Sequence, residues 1–180
     1  MLENTFIHIP GIGPRTEQKL WDMGIFGWRD FMDREKPVFS RAKDRLIQQH
    51  LETSLLKRDN IGYFSKRLPV AEMWRLFEAF RHRAVYLDIE TSGYDQWTND
   101  ITVIGLYDGS RVQTFVSGKN LEAFEVAIAD YDLVITFNGP CFDLPFIRRS
   151  TSSGRQRSMS NSFHHSVRRT YRLTVPKQSM

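Results

Sequence analysis

The feature that most limits how this chain can fold is a change of hydrophobic pattern at residue 84. Before it, apolar residues recur at the spacing of amphipathic helices. After it they gather into short runs rich in β-formers: Ala84 to Ile89 (AVYLDI), Ile101 to Tyr107 (ITVIGLY), Val112 to Val116 (VQTFV) and Leu133 to Phe137 (LVITF). These runs predict four strands. The last is almost wholly apolar, as expected of a strand covered on both faces. Asp108-Gly109-Ser110 predicts a tight hairpin between the second and third strands, since Asp-Gly readily supplies positive φ. A helix is expected over Leu121 to Ala129 and another from near Leu144. The expected class is therefore α/β, with a helical region in front of a sheet.

Within the helical region, Gly13-Pro14 opens a segment in which Leu20 and Met23 face inward, and Gly24 stops it. A short helix through Trp28, Phe31 and Met32 follows. From Ser40 to about Arg58 a longer helix places Leu46, Ile47, Leu51 and Leu55 on one side, and Asp59, Asn60 and Gly62 break it. After Pro69 a further helix puts Val70, Met73, Trp74, Phe77 and Phe80 on a core-facing stripe.

Charge is unevenly spread. Of 25 Lys and Arg and 21 Asp and Glu, six basic residues and no acidic ones lie from Thr151 to Met180. Residues 1–150 thus hold 19 basic and 21 acidic residues, so the basic balance belongs to the tail and says nothing about the rest. The tail holds seven serines and no apolar periodicity, a composition expected to be disordered. A shift of reading frame near codon 149 would produce such an ending. The single cysteine, Cys141, forms neither an internal disulfide nor a cysteine-based metal site, which suits a reducing cytoplasm. No run of about 18 apolar residues offers a membrane span, and MLENTFIHIP lacks the regions of a signal peptide.

The strongest chemical signal is acidic. In YLDIET, Asp88 and Glu90 are one residue apart, and the period of two on a strand puts both carboxylates on one face. Like charges so close need either solvent or a hard cation between them. In FNGPCFDLPFI, Asn138 follows the fourth strand and Asp143 enters the next helix. If the fourth strand pairs in parallel beside the first, Asp143 reaches the edge that carries Asp88 and Glu90. Three carboxylates would then offer the oxygen-rich surroundings that Mg²⁺ or Mn²⁺ prefers.

VYLDIETSG, ITVIGLYDG and ITFNGPCFDLPFI together resemble the first half of a ribonuclease H-like 3′-5′ exonuclease of the DEDD type, nearest to the bacterial YprB-like group. The resemblance covers Arg83 to Arg149. It implies a ribonuclease H-like mixed sheet, two metal ions, Asp88, Glu90 and Asp143 as catalytic ligands, and Asn138 and Thr91 lining the substrate cleft. Two ions would activate the attacking water and steady the departing oxygen of a phosphodiester. The chain departs from the family in its third motif. No acidic residue follows Asp143, so the fourth carboxylate is missing, and His164 and His165 lack a partner Asp. The implied domain over 83–149 is truncated and its activity impaired. Its unpaired sheet edge would invite association.

At the other end, I-P-G-I-G-P-x-T-x-x-x-L-x-x-x-G-I, from Ile9 to Ile25, resembles a helix-hairpin-helix within a helical region spanning 1–82. The resemblance implies that Gly11, Gly13 and the following amides receive a phosphate oxygen, with Arg15 and Lys19 adding charge. Nucleic acid, DNA or RNA, is then the expected partner. Two readings follow: a metal-dependent exonuclease, and a non-catalytic nucleic-acid-binding module built on the hairpin and the basic tail of 150–180.

Overall fold

Two buried carboxylates organise the amino-terminal part of the chain. In a computed structural model of the protein, which describes residues 1–137, 142–152 and 171–174, the chain divides into two compact units, Met1–Ala79 and Phe80–Met180. In the first unit the α-helices are α1 (Pro14–Asp22), α2 (Trp28–Met32), α3 (Arg41–Leu56) and α4 (Ile61–Ser65), and α5 (Phe77–Phe80) runs to the first residue of the second. Glu17 of α1 accepts the amides of Phe6 at 2.6 Å and Ile7 at 3.3 Å, and pairs with Arg75 at 2.9 Å. Asp44 of α3 accepts the amides of Val38 and Phe39 and pairs with Arg34 at 2.9 Å. Each carboxylate ties a loop without regular ladder bonds to a helix, satisfying amides that burial would leave without water.

Ser40 caps α3 by accepting from the Lys43 amide, and Gly24, at φ +79°, turns the chain after α1. Asn60, expected to end a helix, also starts one: its side chain accepts from the Tyr63 amide and caps α4. Trp28 and Phe64 stack with ring centroids 5.8 Å apart at the centre of the unit. His8 packs against both, its ring centroid 5.5 Å from each. Its Nε2 meets the Ser54 hydroxyl at 2.8 Å, and Ser54 gives its own proton to the His50 carbonyl, so His8 is the donor.

Several expected core positions are corrected here. Met23 and Leu46 are exposed, while Ser54 takes an inward position on α3 to meet His8. Residues Val70–Leu76 form a 3-10 helix, and α5 is only the turn after it. Three residues per turn replace the 3.6 of the expected stripe, and the buried Glu17 draws Arg75 inward. Val70 and Trp74 consequently face solvent, while Arg75, Leu76 and Phe80 are buried.

The second unit is built on a sheet of five strands in the order β3-β2-β1-β4-β5. They are β1 (Ala84–Thr91), β2 (Ile101–Tyr107), β3 (Val112–Val116), β4 (Leu133–Thr136) and β5 (Tyr171–Thr174). β2 runs antiparallel to both β1 and β3, whereas β4 runs parallel to β1 and β5 to β4, so the sheet is mixed. The expected parallel pairing of the first and fourth strands is present, with Tyr86 opposite Ile135. Gly109, at φ +98°, closes the expected β2–β3 hairpin, and the Asp108 carboxylate accepts from the Ser110 and Arg111 amides.

A 3-10 turn over Leu121–Ala123 leads into α6 (Phe124–Ile128), and α7 spans Asp143–Ser152. Phe124 and Ile128 of α6, with Phe146 and Ile147 of α7, cover one face of the sheet, that of Val85, Leu87, Ile89, Ile104, Leu106, Phe115 and Val134. β4 is buried on both faces, as its apolar run requires. The outer edge of β3 is partly filled. Asn120 accepts from the Val116 amide at 2.8 Å and donates to the Thr114 carbonyl at 3.1 Å, taking two groups that another strand would need. The tail expected to lack structure from Thr151 instead completes the last turn of α7 and supplies β5. Its remaining residues, with His164 and His165, lie outside those described.

Candidate acidic site

β1 alternates strictly over most of its length: Val85, Leu87 and Ile89 are buried, while Tyr86, Asp88 and Glu90 are exposed on the opposite face. Asp88 and Glu90 therefore share one face, as the D-x-E spacing predicts. Beyond Glu90 the β1–β2 register shifts between Glu90 and Thr91, a bulge where the strand leaves regular pairing. Among the described residues no hydrogen bond or ion pair engages either carboxylate.

Asp143 opens α7 and is buried. Burial raises the pKa of its carboxyl above the ordinary Asp value, and the charge of Asp88 raises it further. The fold thus brings Asp143 within electrostatic reach of Asp88. Among the described residues no three His, Cys, Asp or Glu side chains gather closely enough to hold one ion. The donor set is nevertheless all carboxylate oxygen, which suits Mg²⁺ or Mn²⁺, and the repulsion between Asp88 and Asp143 is of the kind a divalent cation relieves.

The remaining predicted residues divide. Thr91 donates its hydroxyl proton to the Gly93 carbonyl at 2.7 Å, so towards a ligand it acts as an acceptor. The loop that follows is tightly bonded. Ser92 and Asp100 close it, Asp95 accepts from the Trp97 amide and the Thr98 hydroxyl, and Arg149 of α7 donates to the Asn99 carbonyl at 3.1 Å. Asn138 and Cys141 lie outside the described residues. Gly11, Gly13, Arg15 and Lys19 are all exposed in the first unit, the first three at the start of α1 and Lys19 in its last turn. Gly13 is the residue before the helix, with Pro14 at its first position. Among the described residues no acceptor meets the amides of Gly13 and Arg15, as expected of a helix start. The segment before this turn holds only the 3-10 turn Leu2–Asn4, where a helix-hairpin-helix expects a first helix.

Sequence reasoning missed what lies beside Asp88. Tyr86, Asp88, Gly105, Tyr107, Ile135 and Phe137 contribute to a trough of about 570 Å³ on the face opposite the helices. The hairpin register, which pairs Tyr86 with Tyr107 and Asp88 with Gly105, is the signal from which it could have been found.

Comparison with known families places this arrangement. A family model for the RNase_H superfamily matches residues 85–175, which span the whole sheet and run on past Arg149. The chain belongs to the RNase H superfamily, whose fold is that of nucleic-acid phosphodiesterases and whose members typically use divalent metals. No curated protein and no solved structure matches the chain. No helix among the described residues is long and apolar enough to cross a membrane.

Proposed function

We propose that the second unit carries a metal-dependent nuclease site of the 3′-5′ exonuclease kind, with Asp88, Glu90 and Asp143 as the ligands of Mg²⁺ or Mn²⁺. One observation carries the reading: Asp88 and Glu90 stand on a single exposed face with no hydrogen bond or ion pair among the described residues, and the buried Asp143 lies within electrostatic reach. Carboxylates left free beside one another are poised for a cation, and bound ions would supply Lewis acidity at the scissile phosphate and an activated water. The protein's own part is to fix the acids on a rigid strand and a helix start. Polarity of cleavage follows from the DEDD resemblance. No acid lies between Asp143 and Met180, so the proposed site rests on Asp88, Glu90 and Asp143.

Release of nucleotides from a 3′-labelled oligonucleotide, measured with and without Mn²⁺, tests the reading. Activity is expected to require Mn²⁺ and to vanish in Asp88→Ala. Cleavage that survives the substitution in clean protein would sink the assignment.

A second reading, binding without catalysis, draws on the exposed glycine turn of Gly11 and Gly13 with Arg15 and Lys19 beside it. A Cβ at Gly13 meets nothing within 4 Å and its φ is −103°, so Gly13→Val tests the close approach of a phosphate without disturbing the turn. Salt-sensitive binding that weakens in Gly13→Val and ignores Asp88→Ala would favour this module.

A further inference from the structure

We propose that Arg149 is a positioning residue of the acidic site: from α7 it holds the loop that leaves β1, and so sets Asp143 against Asp88 and Glu90. The inference rests on the nuclease reading and adds to it a residue that acts through the loop.

The loop over 92–100 is stiff in itself. The Ser92 amide donates to the Asp100 carbonyl at 3.0 Å, and the Asp100 amide to the Ser92 hydroxyl oxygen at 3.0 Å. Asp95 accepts from the Trp97 amide and the Thr98 hydroxyl, while the Asn99 amide and side chain both donate to the Asp95 carbonyl. The Asn99 side chain also lies on Gly93. Gly93 does not have a positive φ, yet a Cβ there would stand 2.5 Å from the Asn99 Oδ1, so close packing is what requires glycine. Thr91, the last residue of β1, donates to the Gly93 carbonyl at 2.7 Å and joins this cluster to the strand just after Glu90.

A stiff loop moves as one piece, so a hold on its far end is a hold on the end of β1. Regular pairing does not supply it, because the β1–β2 register shifts between Glu90 and Thr91. α7 does. The Arg149 guanidinium donates to the Asn99 carbonyl at 3.1 Å, across 50 residues of chain. Phe142 and Phe146 precede Arg149 on the same face of α7, at the spacing i, i+4 and i+7. Their ring centroids are 4.9 Å apart, and the Phe142 ring meets that of Tyr94 at 6.5 Å. The loop therefore touches α7 at both ends, through Asn99 in its last turn and through Tyr94 beside the residue that precedes Asp143.

Charge makes the tie matter. Asp143 opens α7 and faces the like charge of Asp88, which opposes their approach while no cation lies between them. Phe146 and Ile147 hold the helix to the sheet by apolar packing, which is not directional. A hydrogen bond from a guanidinium to a carbonyl is directional and charge-assisted. Groups that orient metal ligands from outside the ligand set are commonly worth about tenfold to a hundredfold in metal affinity.

Mn²⁺ binding to the full chain without nucleic acid, read from the electron paramagnetic resonance signal of the unbound ion, tests this without cleavage. Asp88→Asn should abolish the binding. Arg149→Met is expected to weaken it about tenfold, and Arg149→Lys, which can still donate to the carbonyl, should recover most of that loss. Gly93→Ala displaces the Asn99 side chain from within the loop and leaves the charge in the last turn of α7, favourable there by itself, untouched. It should weaken binding about as much, and the double variant should be no worse than the weaker single, since both break one clasp. At saturating Mn²⁺ the KM for an oligonucleotide should be the same in Arg149→Met as in the parent. Mn²⁺ binding unchanged in an Arg149→Met protein that melts like the parent overturns the proposal, while its loss in Asp88→Asn still supports the nuclease reading. A raised KM with Mn²⁺ binding intact makes Arg149 a phosphate contact and also overturns it. A parent that binds no Mn²⁺ sinks the nuclease reading, and the proposal with it. Should the Met variant fail to fold, Gly93→Ala decides: weaker Mn²⁺ binding supports the clasp, unchanged binding overturns it.

Discussion

The acids of the first unit and those of the second are placed in opposite ways. Glu17 and Asp44 are buried, and each accepts two backbone amides and pairs with an arginine. Asp88 and Glu90 are exposed, and among the described residues nothing bonds them. Asp143 is buried like the first pair but faces the charge of Asp88 instead of an arginine. A carboxylate whose lone pairs are already taken by its own chain holds the fold. One left free, beside another of the same charge, adds nothing to folding and is available to a cation or a substrate.

The largest test of this contrast is catalytic. Asp88→Asn is expected to lower Mn²⁺-dependent hydrolysis at least about a hundredfold, as loss of a group that stabilises transition-state charge does. Its unfolding free energy in urea should stay within about 0.5 kcal/mol of the parent, because among the described residues no folded-state partner is lost. A large loss of stability would show Asp88 to be structural after all.

Glu17→Gln should do the reverse. Removing one charge of a buried pair destabilises by about 3 kcal/mol, read from urea unfolding of the first unit, with nuclease activity per folded molecule unchanged. Next in size is a pH effect. Burial pushes the His8 pKa down to about 4 from its ordinary 6.5. The unfolded chain therefore takes up the proton first, and stability is lost as pH falls from about 6.5 towards 4. Between pH 7 and pH 5 that amounts to about 2 kcal/mol. Unfolding at the two pH values should show it, and His8→Phe should flatten the slope. Smallest is Ser40→Ala, which removes the cap of α3 and should cost about 1 kcal/mol in the same assay.

Local features of the fold were legible wherever neighbouring residues decide them. The bounds of β2 and β3 follow from their own apolar runs and from the Asp108-Gly109 turn between them. α1 and α3 follow from Pro14, Gly24 and Ser40. Of the site, the shared face of Asp88 and Glu90 could be read because a strand's period of two allows nothing else. The reach of Asp143 to Asp88 needed the parallel pairing of β1 and β4, which the sequence raised only as a condition. The stripe after Pro69 was misread because a 3-10 helix and an apolar-looking helix share composition but not period. Arg75 could not be foreseen as buried, since Glu17 is remote in the chain.

The sequence by itself determined that a helical region precedes an α/β sheet, and that D-x-E stands on one face of its first strand. Both follow from the short-range geometry of helices and strands. Only the tertiary structure decided which carboxylates are bound by amides and arginines and which are free. It alone set Gly105 opposite Asp88 and Tyr107 opposite Tyr86. Those facts depend on strand register and on contacts between distant residues, where burial, absence of water and neighbouring charge fix what each group can do.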